Sequence, residues 1–237
     1  MKKLLMLCML LPLFGVGQTV VNAFRVFPKV DKQAEFEKGF AAHAQKYHTG
    51  NWKWRVYSIE TGPDFGGFHV VEGPLGWGEF DGRGDLGAEH TADWNKNVAP
   101  YTTDKGSSSY SEYLPDMSTI AVGDFTDKII INHMYPKPGK VEMATNMMKK
   151  LKAVWAASNE TVAVYSAVGS GAPQLVMVSR MKEGLKELAT GYRKPMSERY
   201  EAVHGARSWS QYMDDYNASV ESRWSEMLSL RKDLGSK

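Results

Sequence analysis

The chain has 237 residues, 43% of them hydrophobic and 24% charged, a balance that excludes a disordered polypeptide and allows one large domain or two small ones. No apolar stretch reaches the roughly 20 residues that a spanning helix needs. The formal net charge is +2, too small a field to mark a nucleic-acid partner.

Lys2 and Lys3 precede an apolar run from Leu4 to Phe14, and Gly15-Val16-Gly17 supplies small residues where a signal peptidase reads. Residues 1–17 are therefore expected to be a signal peptide, with export to the periplasm or the cell exterior and a mature chain starting at Gln18. Lys2 and Lys3 leave with it, so 27 of the 29 basic residues then face 27 acidic ones and the net charge is zero. Cys8, the single cysteine, leaves too. The mature chain then has no disulfide, thiolate nucleophile or cysteine metal site.

Residues 20–27 are β-rich and stop at Pro28. Phe36, Phe40, His43 and Tyr47 follow at the spacing of an amphipathic helix. Strands are expected over 52–60 and 68–72, joined by a glycine-rich turn, and then a helical stretch over 87–98. A shift of 108 residues repeats the series: RVFPKVDK from Arg25 aligns with HMYPKPGK from His133, Asn51 with Asn159, RVYS from Arg55 with AVYS from Ala163, and Val70 with Val178. One offset serving every match predicts an internal duplication.

In the second half a strand over 128–135 stops at Pro136, and Ala144, Met148, Leu151 and Trp155 form the helical stripe. Strands over 161–168 and 174–181 come next. A long helical region is expected over 183–230, where Val220, Trp224, Met227 and Leu228 stand at helical spacing. No fourth strand is legible in either half. The expected units are 18–122 and 123–237.

The order β-α-β-β-α is that of a ferredoxin-like, split βαβ unit, and two such units can bury their sheets against each other. The fold class is α+β. At NHMYPKPGKVEM, Asn132 to Met143, and its diverged copy NAFRVFPKVDKQAEF from Asn22, the chain resembles the dimeric α/β-barrel superfamily in a tandem, pseudo-symmetric form. The run looks like the strand–Pro-Gly–helix opening of NIPSNAP-like domains. Antibiotic-biosynthesis monooxygenases and haem-degrading monooxygenases belong to the same superfamily. The resemblance implies oxygenase chemistry in a cleft between the sheets, with haem as a cofactor to be tested, and leaves homo-oligomerisation open.

Strand alternation places Arg25, Arg55, Tyr57, His69, His133, Tyr135 and Tyr165 together on the faces that would line an inter-sheet cleft, with Met177 as the counterpart of His69. These seven are the candidate ligand-binding residues. His69 could serve as a general base or axial haem ligand, Arg55 as an anion partner and Tyr57 as a hydrogen-bond donor. The plain alternative is packing, with Tyr57 and Tyr165 as paired core aromatics and His69 and His133 as hydrogen-bonded core histidines. His43 is expected to be a stripe residue.

Gly82 to Gly87 satisfies GxGxxG, but no parallel strand precedes it, so a loop is expected. Glu89, His90 and Asp93 share one helical turn and are expected on a solvated face, so no metal site is expected. Two functional readings stay open. One is an exported ligand-binding or assembly module with an unknown small-molecule or protein partner. The other, implied by the resemblance, is a monooxygenase-like or haem-degrading enzyme. No residue is assigned a catalytic role.

Overall fold

β-Branched and aromatic residues draw Val20–Pro28 into the first strand, β1, and the proline that cannot donate to a ladder ends it. Helix α1 (Gln33–Tyr47), strands β2 (Trp54–Ile59) and β3 (Phe68–Leu75), short helix α2 (Trp77–Asp81), helix α3 (Ala88–Asn97) and strand β4 (Thr102–Tyr113) complete the first half. The second half runs β5 (Lys128–Pro136), α4 (Val141–Ala157), β6 (Val162–Val168), β7 (Leu175–Arg180), α5 (Met196–His204), α6 (Ser208–Ser219) and β8 (Val220–Leu230). The computed structural model describes residues 19–237. The expected signal peptide lies outside the described residues.

All eight strands close into one antiparallel barrel in the order β1-β3-β2-β8-β5-β7-β6-β4. Within it the first half reads β4-β1-β3-β2 and the second β8-β5-β7-β6, and the halves join where β2 meets β8 and β4 meets β6. Closure removes every sheet edge. Among the described residues no helix is long and apolar enough to cross a membrane.

Both fourth strands correct the sequence reading. β4 has the sequence TTDKGSSSYSEY and is largely exposed, so it carries no apolar alternation. It is a strand because β1 offers it a ladder from Val20–Glu112 to Pro28–Thr102. The stretch 220–230 is a strand, not a helix. Positions 224 and 228 are four apart, which satisfies a helical turn and a two-residue period equally, and the ladder with β5 selects the second.

A second correction concerns register. Tyr57 lies opposite His69, but Tyr165 lies opposite Val176. The second hairpin is one residue shorter, so the structural counterpart of His69 is Val176, and Val70 corresponds to Met177, not Val178. Met177 therefore packs outward under α4.

The alternating faces bury two kinds of core. Outside the barrel, Phe36 and Phe40 of α1 stack on Phe68 and Trp54 at ring separations of 5.6 and 5.4 Å. Met147, Met148, Leu151 and Trp155 of α4 pack with Val162, Val164 and Met177. Each such side chain contributes about 1.5–3 kcal/mol on burial. Gly39 lets α3 lie directly on α1, since a methyl group there would overlap the Asn97 carbonyl oxygen. Inside the barrel, Tyr57, Ile59, Ile129, Ile131 and Leu228 form an apolar plug.

Candidate functional site

Above that plug the barrel interior holds a cavity of about 300 Å³. Its walls are apolar where β1, β5 and β7 contribute Val21, Ile131, Val176 and Val178. The exposed Ser107 and Ser108 of β4 line its mouth. Arg25, Tyr57, His69, His133, Tyr135 and Tyr165 line it as well. Arg55 points inward like Tyr57 but lies behind Phe125, its guanidinium 3.9 Å from the ring centre and hydrogen-bonded to the Gly73 carbonyl at 2.7 Å.

Two polar groupings divide the cavity. In the first, the Glu226 carboxylate accepts hydrogen bonds from both terminal nitrogens of Arg25 and from His133 Nε2 at 2.8 Å. Gln174 Nε2 donates to His133 Nδ1 at 2.6 Å and to the Tyr135 hydroxyl at 3.1 Å. These partners set His133 as the tautomer protonated on Nε2. Trp224 stacks on the His133 ring with centroids 3.9 Å apart. Burial pushes the Glu226 carboxyl up, but its bonds to His133 and Arg25 outweigh that and hold it below the usual carboxylate value.

The second grouping is cationic. Arg180, only 3% exposed, donates to the Ala121 and Val122 carbonyls at 2.9 Å and to the Tyr165 hydroxyl at 3.3 Å. Like Arg55 it packs on Phe125, 5.1 Å from the ring centre. Among the described residues neither guanidinium has a carboxylate within ion-pairing distance. Burial lowers the Arg55 pKa, and the neighbouring charge of Arg180 adds to this. Burial pushes the Tyr57 hydroxyl up to about 12 and also raises Tyr165. Both remain protonated donors at neutral pH. Tyr57 donates to the Thr126 carbonyl at 3.2 Å, whereas Tyr165 Oη accepts from Arg180 and keeps its own proton for a further acceptor.

His69 stands between the groupings. Its Nδ1 is buried with no hydrogen-bond partner. Burial, reinforced by the charge of Arg25, lowers its pKa to about 3. A base weakened in this way acts as a neutral hydrogen-bonding group.

The haem implied by the resemblance does not fit this interior. Both nitrogens of His133 are engaged, which leaves His69 Nδ1 as the one buried imidazole nitrogen lining the cavity without a partner among the described residues. A cavity of about 300 Å³ lies at the lower end of small-ligand sites.

Arg180, Glu226, Trp224, Gln174 and Phe125 were missed by the sequence reading. Arg180 shares its strand face with Val176 and Val178, and the one-residue register difference had turned that face outward. Glu226 and Trp224 lay in the stretch read as helix.

No family model matches the chain, and no curated protein matches it, so the NIPSNAP-like resemblance has no support from sequence comparison. Solved structures do match. An anthrone oxidase-like protein superposes with a TM-score of 0.57 at 13% identity, over 91% of this chain and 92% of that one. A candidate monooxygenase from Fusobacterium nucleatum subsp. nucleatum gives 0.56 at 12% identity, over 92% and 94%. A candidate chlorite dismutase gives 0.53 at 8% identity, over 92% and 96%. The chain therefore shares an α+β barrel fold with monooxygenase-like proteins.

Proposed function

We propose that the chain is a monooxygenase-type enzyme that takes a small hydroxylated aromatic molecule into the barrel cavity and stabilises it as an oxyanion. The observation that carries this reading is the uncompensated pair Arg55 and Arg180. Burying a guanidinium without a carboxylate costs several kcal/mol, and a bound anion beside Arg180 offsets that cost. The Tyr165 proton supplies a second donor at the same wall. Donors placed in advance where negative charge develops are the most effective catalytic device in a dry site.

An aromatic methylene conjugated to an oxyanion gives its electrons to dioxygen. One oxygen atom remains on the ring as a carbonyl and the other leaves as water, so R₂CH₂ and O₂ become R₂C=O and H₂O without an outside reductant. The proton lost on ionisation passes to water at the serine-lined mouth and is regained by the departing oxygen. His69 and Tyr57 orient the ring. The fold shared with an anthrone oxidase-like protein supports this substrate class.

Incubation with a dihydroxyanthrone in air, followed by oxygen uptake and quinone absorbance, tests the reading. The wild type should turn over faster than the uncatalysed reaction, and Arg180→Met should lose about ten- to a hundredfold, the worth of one charge-assisted hydrogen bond. Binding without turnover would favour a binding module. Neither binding nor turnover would remove the reading.

The matching strand order of the two halves, with β1 and β5 beginning 108 residues apart, supports the further reading that units 18–122 and 123–237 are tandem ferredoxin-like repeats. The basic and apolar opening of the chain supports export, which the intact mass of secreted material would check.

A further inference from the structure

Outside the barrel, between α1 and α3, three histidines converge. His43 Nε2 lies 3.1 Å from His90 Nε2, which lies 3.4 Å from His48 Nε2, and all three ligand atoms fall within 4.8 Å of one another. His43 comes from the third turn of α1, His48 caps that helix, and His90 is in the first turn of α3.

We propose that His43, His48 and His90 bind a divalent transition-metal ion of the zinc class. Four features of the cluster suit a metal ion. Two of the three separations, His43–His90 and His90–His48, match tetrahedral coordination, in which bonds of about 2.0–2.1 Å place ligand nitrogens about 3.3 Å apart. Asp93 lies 2.7 Å from His43 Nδ1. A carboxylate can only accept, so it holds the His43 proton on Nδ1 and leaves the Nε2 lone pair facing the other two rings. A carboxylate behind a histidine is the usual support of a metal ligand.

His48 is held rigidly. Trp54 stacks on its ring with centroids 3.5 Å apart. Glu72, 1% exposed, accepts from Trp54 Nε1 at 3.0 Å and lies 3.5 Å from His48 Nδ1. Arg83 holds the other Glu72 oxygen at 2.6 Å and also donates to His48 Nδ1 at 3.2 Å, so metal binding at Nε2 requires the His48 proton to move to Nδ1 and that nitrogen to exchange Arg83 for Glu72 as its partner. The cluster is also buried. His43 and His48 are 0% and 2% exposed, and three neutral imidazoles cannot each find a separate hydrogen-bond partner at one point, whereas a cation accepts all three lone pairs. Glu89, next to His90 in the sequence, is exposed, as expected, and takes no part. Imidazole sets suit zinc, copper, nickel and cobalt. The ion would tie the α2–α3 excursion to α1 in a chain without disulfides.

The test uses the full mature chain without a histidine tag, stripped of metal by a chelator. Cobalt(II) titration should give one equivalent with the visible bands of tetrahedral cobalt, zinc should displace it, and either ion should raise the melting temperature. His90→Ala, at a half-exposed position that leaves the fold intact, should weaken uptake at least a hundredfold. His90→Cys should restore binding and add a thiolate-to-cobalt absorption band. Failure of the wild type to take up one equivalent, or equal uptake by wild type and His90→Ala, would overturn the proposal.

Discussion

Arg25 on β1 and Glu226 on β8 form an ion pair across the inside of the barrel, joining strands that are not neighbours in the sheet. The two side chains are 9% and 0% exposed, and His133 completes the carboxylate's hydrogen bonding. The pair links the first half to the second through the interior, where the strands link them through the wall.

Breaking it should be costly. Arg25→Ala leaves the buried Glu226 carboxylate without its guanidinium partner, held by His133 Nε2 alone, and should destabilise the fold by about 3–5 kcal/mol. The double variant Arg25→Met, Glu226→Leu should recover part of that loss, because no charge is then left unpaired. Denaturant unfolding of the wild type and both variants checks this. Equal losses in the single and double variants would show that the pair's geometry, not its charge balance, matters.

His69 makes stability depend on pH. Its pKa falls from 6.5 in the unfolded chain to about 3 in the fold, so the unfolded chain takes up the proton first. The contribution is full above 6.5 and is lost as the pH falls toward 3. Lowering the pH from 7 to 5 should cost about 2 kcal/mol at this residue. His69→Gln should remove that part of the slope. Melting curves at both pH values for the two proteins measure it, and parallel shifts would count against the assignment.

Arg180 should separate binding from folding. Arg180→Met removes a buried cation without a carboxylate partner but also its hydrogen bonds to the Ala121 and Val122 carbonyls and the Tyr165 hydroxyl, so the two effects should offset and stability should shift by only about 1–2 kcal/mol. Its affinity for an anionic aromatic should fall by about 1.5–3 kcal/mol, roughly ten- to a hundredfold. Calorimetric titration beside a melting curve reads both quantities. A variant that melts lower and binds as before would make Arg180 a structural residue.

Gly39 controls the approach of α3. Gly39→Ala should cost about 1–3 kcal/mol, because the methyl group meets backbone that cannot rotate away. The same shift would draw His90 from His43, so cobalt uptake should weaken while the barrel core, remote from Gly39, remains formed. Near-ultraviolet circular dichroism and the cobalt titration together test this.

Much of this molecule was legible in its sequence. The stripes Phe36, Phe40, His43 and Ala144, Met148, Leu151, Trp155 determine α1 and α4, since only a helix collects those positions on one buried face. Pro28 and Pro136 end β1 and β5 because proline has no ladder donor. Two-residue alternation determines that Arg25, Tyr57, His133 and Tyr165 point into the barrel. Tertiary structure alone decided the rest. β4, rich in serine and charge, is a strand only because β1 and β6 pair with it. A hairpin one residue shorter turns Arg180 inward and Met177 outward, and no alternation within one strand carries that information. His43, His48 and His90 meet because a glycine lets two helices touch. Local periodicity reports which face a residue shares with its sequence neighbours, whereas convergence of distant residues depends on loop lengths and strand registers that only the closed barrel sets.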